Sequence, residues 1–580
     1  MKVQVKGKGE VSLAQSNFVA QGGQASVYIK QGTAYKVYTD PKDTVPEAKF
    51  HDLNRIQDDH VVKPLDLLLD VKTSKPIGYT MQAVTNEPAA LCQLFTRAFK
   101  ERNGITHDNI LDVVNRLRHH VACVHHAGIV IVDLNELNVL VPKTWNDTFL
   151  IDVDSFQTKG YPATVIMPNV RDYSVKAADF SPLSDWFSFA VLSFQLFIGI
   201  HPYLGTHPAS ASIEKSKRME HRMRHHISAF RPDVTLPKVC YGFDQIPQQF
   251  KDWLVAVLDQ GKRLAPPDPH GGPAVAVGVT QVVPTFQSTG KLTITEVLDF
   301  SGWQVIAYTE SGPNALALIS DGREQRFMMN GRVLHSTLAL PGTTLIGFTP
   351  KMNQPVALNL YQGQVLFFDL ERRSQELLSF AANEMAKSGD RFYVRNGTLV
   401  LEVEFSEMPQ KTIVTASSQV ADVLEMASRL YEGCCIQSML GAAYVSLFPE
   451  TKMGCQVRIP ELDHYRILDA KFDGGVLMVV GSLKGRYDRL VFRFSSDWTT
   501  YDLRKLEGVS PSGLNFVTLA AGVCVCLTED ETIEAFSSKK DSQGIKPVDD
   551  PSLGNDMRLL KIKGKAGFSR AGKIAQMGLK

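Results

Sequence analysis

Residues 128–141, GIVIVDLNELNVLV, and residues 149–156, FLIDVDSF, set three chemistry-bearing side chains at short fixed spacings. Asp133 and Asn138 lie five residues apart, and Asp152 follows Asn138 by fourteen at the end of a short β-prone run. Phosphoryl transfer gives these types a reason to gather: one carboxylate beside the attacking hydroxyl, and a second carboxylate with an amide oxygen to hold magnesium against the phosphates. Taken singly, Asp133 and Asp152 are equally good turn formers or helix caps, the common use of aspartate near a strand end. The surrounding sequence has to decide between these readings.

Upstream, AQGGQASVY (Ala20–Tyr28) places Gly22 and Gly23 between β-prone runs, and AYKVY puts Lys36 on the next strand, nine residues after Val27. The short pieces FVAQ, SVYIK, AYKVY and PIGYTMQAV read as strands, and the polar segment Pro46–Gln57, which holds Glu47, reads as a helix between them. Asn109–His126 carries Ile110, Val113, Val114, Leu117, Val121 and Val124 at the three-and-four spacing of a helix with one buried face. Farther on, SDWFSFAVLSFQLFIGIHPY opens on Ser184 and Asp185; its apolar run Trp186–Ile200 is 15 residues long and broken by Ser188, Ser193 and Gln195. That is short of the ~20 residues a membrane span requires, so a buried helix is expected.

In this order the landmarks resemble the protein-kinase superfamily. Asp-x-x-x-x-Asn and Leu-Ile-Asp-x-x look like its catalytic loop and magnesium-binding motif. The resemblance implies an α+β bilobal kinase-like domain over 1–265, with an N-lobe over 1–84 and a C-lobe over 85–265, that binds ATP and Mg2+. Asp133 would be the catalytic base, Asn138 and Asp152 the metal ligands, and Asp154 a reserve ligand. Lys36 would meet the α- and β-phosphates with Glu47 as its partner. Gly22 and Gly23 would let backbone N–H groups approach phosphate. Val27 would cover the base, and Met81, Gln82, Ala83 and Val84 resemble the hinge that receives adenine. DVDSF with FSPLSDWFSFAVLSFQLFIGIHPY is most similar to a bacterial branch of kinase-like proteins associated with stress response and PP2C-type phosphatase partners. The resemblance covers under half of the chain.

Several positions depart from the family pattern. Ala20 and Ala25 stand where two of three loop glycines are usual, and Ile131-Val132 replaces His-Arg before Asp133. The missing Arg is the group a phosphorylated activation loop pairs with, which argues against that form of control. Asn135 stands where a lysine near the transferred phosphate is common, a loss of charge stabilisation. Asp152-Val153-Asp154 replaces Asp-Phe-Gly, and no Ala-Pro-Glu precedes Asp185. His119, His120, Cys123, His125 and His126 lie close in sequence, but a helix spreads them over several faces, so metal ligation is not the expectation there.

Leu264–Gly278 concentrates Pro and Gly, and the texture changes beyond it, so 266–288 is read as a linker and 289–580 as an all-β domain. FYVRNGTLVLEVEF is the clearest hairpin, with Asn396-Gly397 as its two-residue turn, and FMMNGRVLH, LYQGQVLFFDL, FDGGVLMVVG and NFVTLAAGVCVCL repeat the theme. The spacing points to a β-propeller of about six blades, though a β-sandwich pair would produce much the same pattern. Lys561, Lys563, Lys565, Arg570, Lys573 and Lys580 read as a solvated basic tail.

Across 580 residues, 62 Lys and Arg balance 61 Asp and Glu, so no global field points to nucleic acid or an anionic membrane. Eight cysteines without Cys-x-x-Cys spacing fit reduced thiols in a cytoplasm, and MKVQVKGKGEVSLAQ has no apolar segment of signal-peptide length. The expectation is a cytoplasmic, ATP- and magnesium-dependent protein kinase acting on Ser or Thr, its β-domain recruiting a protein substrate or regulator. The alternatives are a nucleotide-binding pseudokinase scaffold, or a kinase-fold enzyme that acts on a small molecule or transfers AMP.

Overall fold

The computed structural model describes residues 1–22, 24–85, 88–163, 166–176, 179–210, 212–237, 240–270, 290–450, 454–509, 511 and 513–580. The chain divides into two compact units, Met1–Lys100 with Ile105–Gln281, and Glu101–Gly104 with Val282–Lys580. Most of the expected linker falls on 271–289, outside the described residues.

The first unit is α/β. Its strands are β1 (Lys2–Val5), β2 (Gly9–Ser12), β3 (Phe18–Gln21), β4 (Ala25–Lys30), β5 (Thr33–Tyr38), β6 (Pro64–Asp70) and β7 (Pro76–Gln82). They form one antiparallel sheet in the order β2-β1-β6-β7-β5-β4-β3. Four of these were legible as β-prone runs. β1, β2 and β6 were not: β6 interleaves Asp66 and Asp70 with leucines, and its edge pairing with β1 brings together segments more than sixty residues apart. Helix α1 (Glu47–Leu53) is shorter than the Pro46–Gln57 segment and buries Lys49, Phe50 and Leu53.

Downstream come β8 (Ala89–Ala90), α2 (Arg97–Arg102), α3 (His107–His126), β9 (Val139–Val141), β10 (Phe149–Leu150), α4 (Pro182–Ile198), α5 (Lys215–Arg224) and α6 (Gln248–Leu254). Thr106 caps α3 by accepting from Asn109 N–H, and all six apolar residues expected on its inner face are buried. Every residue of α4 from Ser184 to Ile198 is buried, and Gly199 ends it in the left-handed conformation (φ 87°). An apolar run without charge along it thus serves as the core helix of this unit. No helix among the described residues is long and apolar enough to cross a membrane.

The second unit is built from antiparallel four-stranded sheets. Six of them occupy 304–338, 343–381, 384–422, 428–458, 466–507 and 516–548. A seventh joins Leu292–Asp299 to Lys573–Leu579, then to Lys565–Arg570 and Arg558–Ile562, with Leu292 opposite Leu579 and Asp299 opposite Lys573. Among the described residues seven sheets thus stand where the spacing pointed to about six. The opening strands of the first five of these sheets lie against one another in succession, Phe516–Thr518 of the sixth meets Arg558–Ile562 of the seventh, and Gln304–Ser311 also meets Arg558–Ile562. Buried apolar residues from adjacent sheets pack together, as where Phe327 and Leu318 meet Ile346, Phe348 and Phe368.

Two details correct the sequence reading. Asn396 pairs with Leu399, so the central turn residues are Gly397 and Thr398, one later than expected. Gly397, at φ 57°, takes the first central position, where a side chain would be strained. Of the basic residues read as a solvated tail, Lys561, Lys565, Arg570 and Lys573 stand on three strands, while Lys563 and Lys580 lie outside them and, with Lys565, are exposed. Arg570 is buried against Asp556 and the Ser552 carbonyl, Lys561 Nζ lies 2.6 Å from Asp473, and Lys573 binds Glu296 at 2.7 Å. Lys561 and Lys573 are paired with acids drawn from distant sequence, which composition at the end of a chain does not reveal.

Candidate active site

The hairpin β9–β10 sets the spacing of the first two groups. Leu140 faces Phe149, Val139 faces Leu150, and Ile151 N–H donates to the Asn138 carbonyl at 3.0 Å. Asn138, just before β9, and Asp152, just after β10, therefore lie at the same end of the hairpin. Asn138 Nδ2 reaches back to the Asp133 carbonyl (3.3 Å) and to its carboxylate Oδ2 (3.4 Å). Leu150 also pairs with the segment before β6: its N–H donates to the His60 carbonyl at 2.8 Å, and its carbonyl accepts from Val62 N–H at 2.9 Å.

The loop carrying Asp133 is held from α4. Asp185, fully buried in the first turn of that helix, accepts from Ile131 N–H at 2.7 Å, from Val132 N–H at 2.8 Å and from His125 Nε2 at 2.8 Å. Val132 has φ 65°, a strained conformation for a β-branched residue, and Asp152 has φ 63°. The two positions that replace His-Arg thus contribute backbone to this anchor. Asn135 is spent locally: its Oδ1 accepts from Leu137 N–H at 2.8 Å and Asn138 N–H at 3.1 Å, which fixes the turn.

Lys36 arrives from the sheet. It faces Val27 of β4 and Tyr79 of β7 across the strands, and Tyr38 shares its face two residues on. Its Nζ donates to Asp152 Oδ1 at 2.6 Å and to Asp154 Oδ1 at 2.8 Å and Oδ2 at 2.9 Å. Burial alone would lower the Lys36 pKa, but the fields of Asp152 and Asp154 outweigh it and hold the ammonium above the ordinary lysine range. Asp154 also accepts from the Tyr79 hydroxyl at 2.7 Å and from the Tyr38 hydroxyl, while its carbonyl accepts from Lys49 Nζ at 2.6 Å. Against a burial that would raise it, Lys36 and the two phenols hold its carboxyl below the usual range.

Glu47 is not the partner of Lys36. It makes an exposed pair with Lys6 at 2.6 Å, because the buried positions of α1 are Lys49, Phe50 and Leu53, and it is Lys49 that turns toward Asp154. Asp154 does not fit as a reserve metal ligand, since both of its oxygens are taken by the ammonium and the phenols. Asp152 and Asn138 do fit. The Asp152 side chain is 43% exposed with Oδ1 on Lys36, and among the described residues nothing donates to its Oδ2 or to Asn138 Oδ1. A carboxylate and an amide oxygen are hard donors of the kind magnesium takes.

Asp133 sits above the usual carboxylate range chiefly because it is buried; hydrogen bonds from Met167 N–H and the asparagines pull the other way, and the charge of Asp152 adds to the rise. Its Oδ1 accepts from Met167 N–H at 2.7 Å. Gly22 N–H donates to the Ala25 carbonyl at 2.8 Å, which closes the β3–β4 turn, and Gly23 lies outside the described residues. Met81 and Gln82 end β7, with Ala83 and Val84 directly after.

Tyr38, Tyr79, Lys49 and the anchoring role of Asp185 were missed. Only Tyr38 left a signal, its two-residue offset from Lys36; Tyr79 depends on strand register. No protein-family model matches this chain and no curated protein matches its sequence, so the arrangement of side chains carries the functional argument.

Proposed function

We propose that the N-terminal unit is a bilobal kinase-like phosphotransferase that uses ATP and magnesium to phosphorylate a Ser or Thr hydroxyl of a protein. In the same proposal the C-terminal unit is a seven-bladed β-propeller that holds the substrate or a regulator. One observation carries the enzymatic reading: Lys36 meets Asp152 across 116 residues of chain, beside the Asp133–Asn138 pair. Bound ATP supplies the phosphoryl group, and magnesium neutralises charge on it. Asp133 orients the acceptor hydroxyl and takes its proton, a role its raised pKa suits. Asn138 and Asp152 hold the metal, and Lys36, kept charged, pairs with phosphate oxygens. Gly22 and Gly23 shape the loop above them, Val27 covers the base, and Met81–Val84 receives it through the backbone. Asp154, with Tyr38, Tyr79 and Lys49, positions Lys36.

Support for the propeller comes from seven like sheets, from the pairing of the unit's first and last strands in one of them, and from the contact of Gln304–Ser311 with Arg558–Ile562. A PP2C-type phosphatase in a cytoplasmic bacterial system is the partner the resemblance implies.

A nucleotide-binding scaffold is favoured by a different observation. Met167 N–H occupies Asp133 Oδ1, and Asn135 is committed to its own turn, so no cation from that position stands beside the base. Transfer to a small molecule, or of AMP, keeps the same metal and base residues. The first test is magnesium-dependent binding of a fluorescent ATP analogue. Asp152→Ala is expected to abolish the magnesium dependence; magnesium dependence equal to that of the unaltered protein would remove Asp152 from the site.

A further inference from the structure

The segment between α1 and β6 brings Asp58 and His60 against α3, where His120 is 1% exposed. Ligand atoms of Asp58, His60 and His120 all lie within 4.8 Å of one another. Asp58 Oδ2 is 2.6 Å from His120 Nδ1, and Asp58 Oδ1 is 3.6 Å from His60 Nδ1. The two imidazoles are stacked, with centroids 5.1 Å apart, and both turn their other nitrogen toward one further carboxylate. His60 Nε2 is 3.0 Å from Asp147 Oδ2, and His120 Nε2 is 3.5 Å from Asp147 Oδ1. His120 Nε2 is buried and makes no hydrogen bond.

We propose that Asp58, His60 and His120 form a zinc site outside the candidate active site, with Asp147 as the carboxylate that orients both histidines. The donor set is two imidazole nitrogens and one carboxylate oxygen, which zinc accepts, with water completing the shell. Tetrahedral zinc sets its ligand atoms about 3.3 Å apart, and the three ligand atoms here, all within 4.8 Å of one another, come to that spacing by small side-chain rotations. Ligation at Nδ1 requires the proton on Nε2. Asp58, acceptor-only when ionised, now holds the His120 Nδ1 proton; when zinc takes that nitrogen the ring changes tautomer, its one proton moves to Nε2, and that N–H can donate to Asp147. The orphaned buried nitrogen thereby gains its partner, the arrangement in which a metal-bound histidine donates its second N–H to a carboxylate. His60, with a side chain 37% exposed, gives the ion a path from solvent. The site would fasten α3 to the strand that precedes Asp152, because Leu150 is paired with His60 and Val62.

Asp58 also has His119 and Cys123 within 4.8 Å, and Cys123 Sγ lies 3.5 Å from His119 Nε2. The test therefore separates the two triads. The full chain is stripped with a chelator and titrated with zinc against a chromophoric competitor, then with cobalt. One equivalent of zinc is expected, undisplaced by excess magnesium, with a cobalt spectrum lacking a thiolate charge-transfer band. His60→Ala, at a half-exposed position, should weaken zinc binding about 100-fold or more, and Asp147→Asn by about 10–100-fold. The metal-free His60→Ala variant should unfold at the same temperature as the metal-free parent. No zinc uptake by the parent, equal affinity in His60→Ala, or a thiolate band placing the ion at Asp58, His119 and Cys123 would each overturn the proposal.

Discussion

Glu47 and Lys49 lie two positions apart on a helix of two turns, and that offset decides which of them faces Asp154. Among the described residues Glu47 pairs with Lys6 alone, about half exposed on both sides, and such pairs contribute roughly 0–1 kcal/mol. Glu47→Ala should therefore leave nucleotide affinity unchanged and stability within about 1 kcal/mol in urea unfolding. Tyr79→Phe removes a buried donor to Asp154 and should cost about 1–3 kcal/mol. The reverse ranking of the two would return Glu47 to the site. That Lys36 meets Asp152 and that Asp133 lies beside Asn138 was legible from the order of motifs that carries the resemblance. The cage around Asp154 was not, because it depends on Lys36 facing Tyr79, a register that no short stretch of sequence contains.

Two elements bring these residues together. The β9–β10 hairpin aligns Asn138 with Asp152, and the first turn of α4 supplies Asp185 to the loop before Asp133. Removing that carboxylate leaves two buried N–H groups without an acceptor and releases a strained valine, so Asp185→Ala should destabilise the N-terminal unit by on the order of 3 kcal/mol. A change below about 1 kcal/mol in denaturant unfolding would mean that the loop holds its shape without α4. Both long helices were readable, α3 from its apolar spacing and α4 from an apolar run that carries no charge after Asp185. The hairpin turn at Gly397 was read one residue early because an Asn-Gly pair fits a turn in either register until the opposing strand is known; Asn396 facing Leu399 settles it.

At the scale of the whole molecule, the change from helical to hairpin texture was visible in composition, whereas the number of sheets was not. Hairpins count neighbours in sequence, and the seventh sheet joins a strand near residue 295 to one near residue 576. The same pairing takes Lys573 out of the expected basic tail, since it answers Glu296 and Asp299. Deleting Leu292–Asp299 should leave Lys573–Leu579 as an unpaired edge and lower the unfolding temperature of the C-terminal unit by several degrees. An unchanged unfolding temperature would show that this pairing contributes little. The central claim is phosphoryl transfer at Asp133, and one measurement tests it most directly. The protein and its Asp133→Asn variant are incubated with magnesium and a generic protein substrate, using ATP labelled separately at the γ- and α-phosphates. The account predicts γ-label on protein, lost in the variant; α-label on protein, or no transfer of either label despite ATP binding, would contradict it.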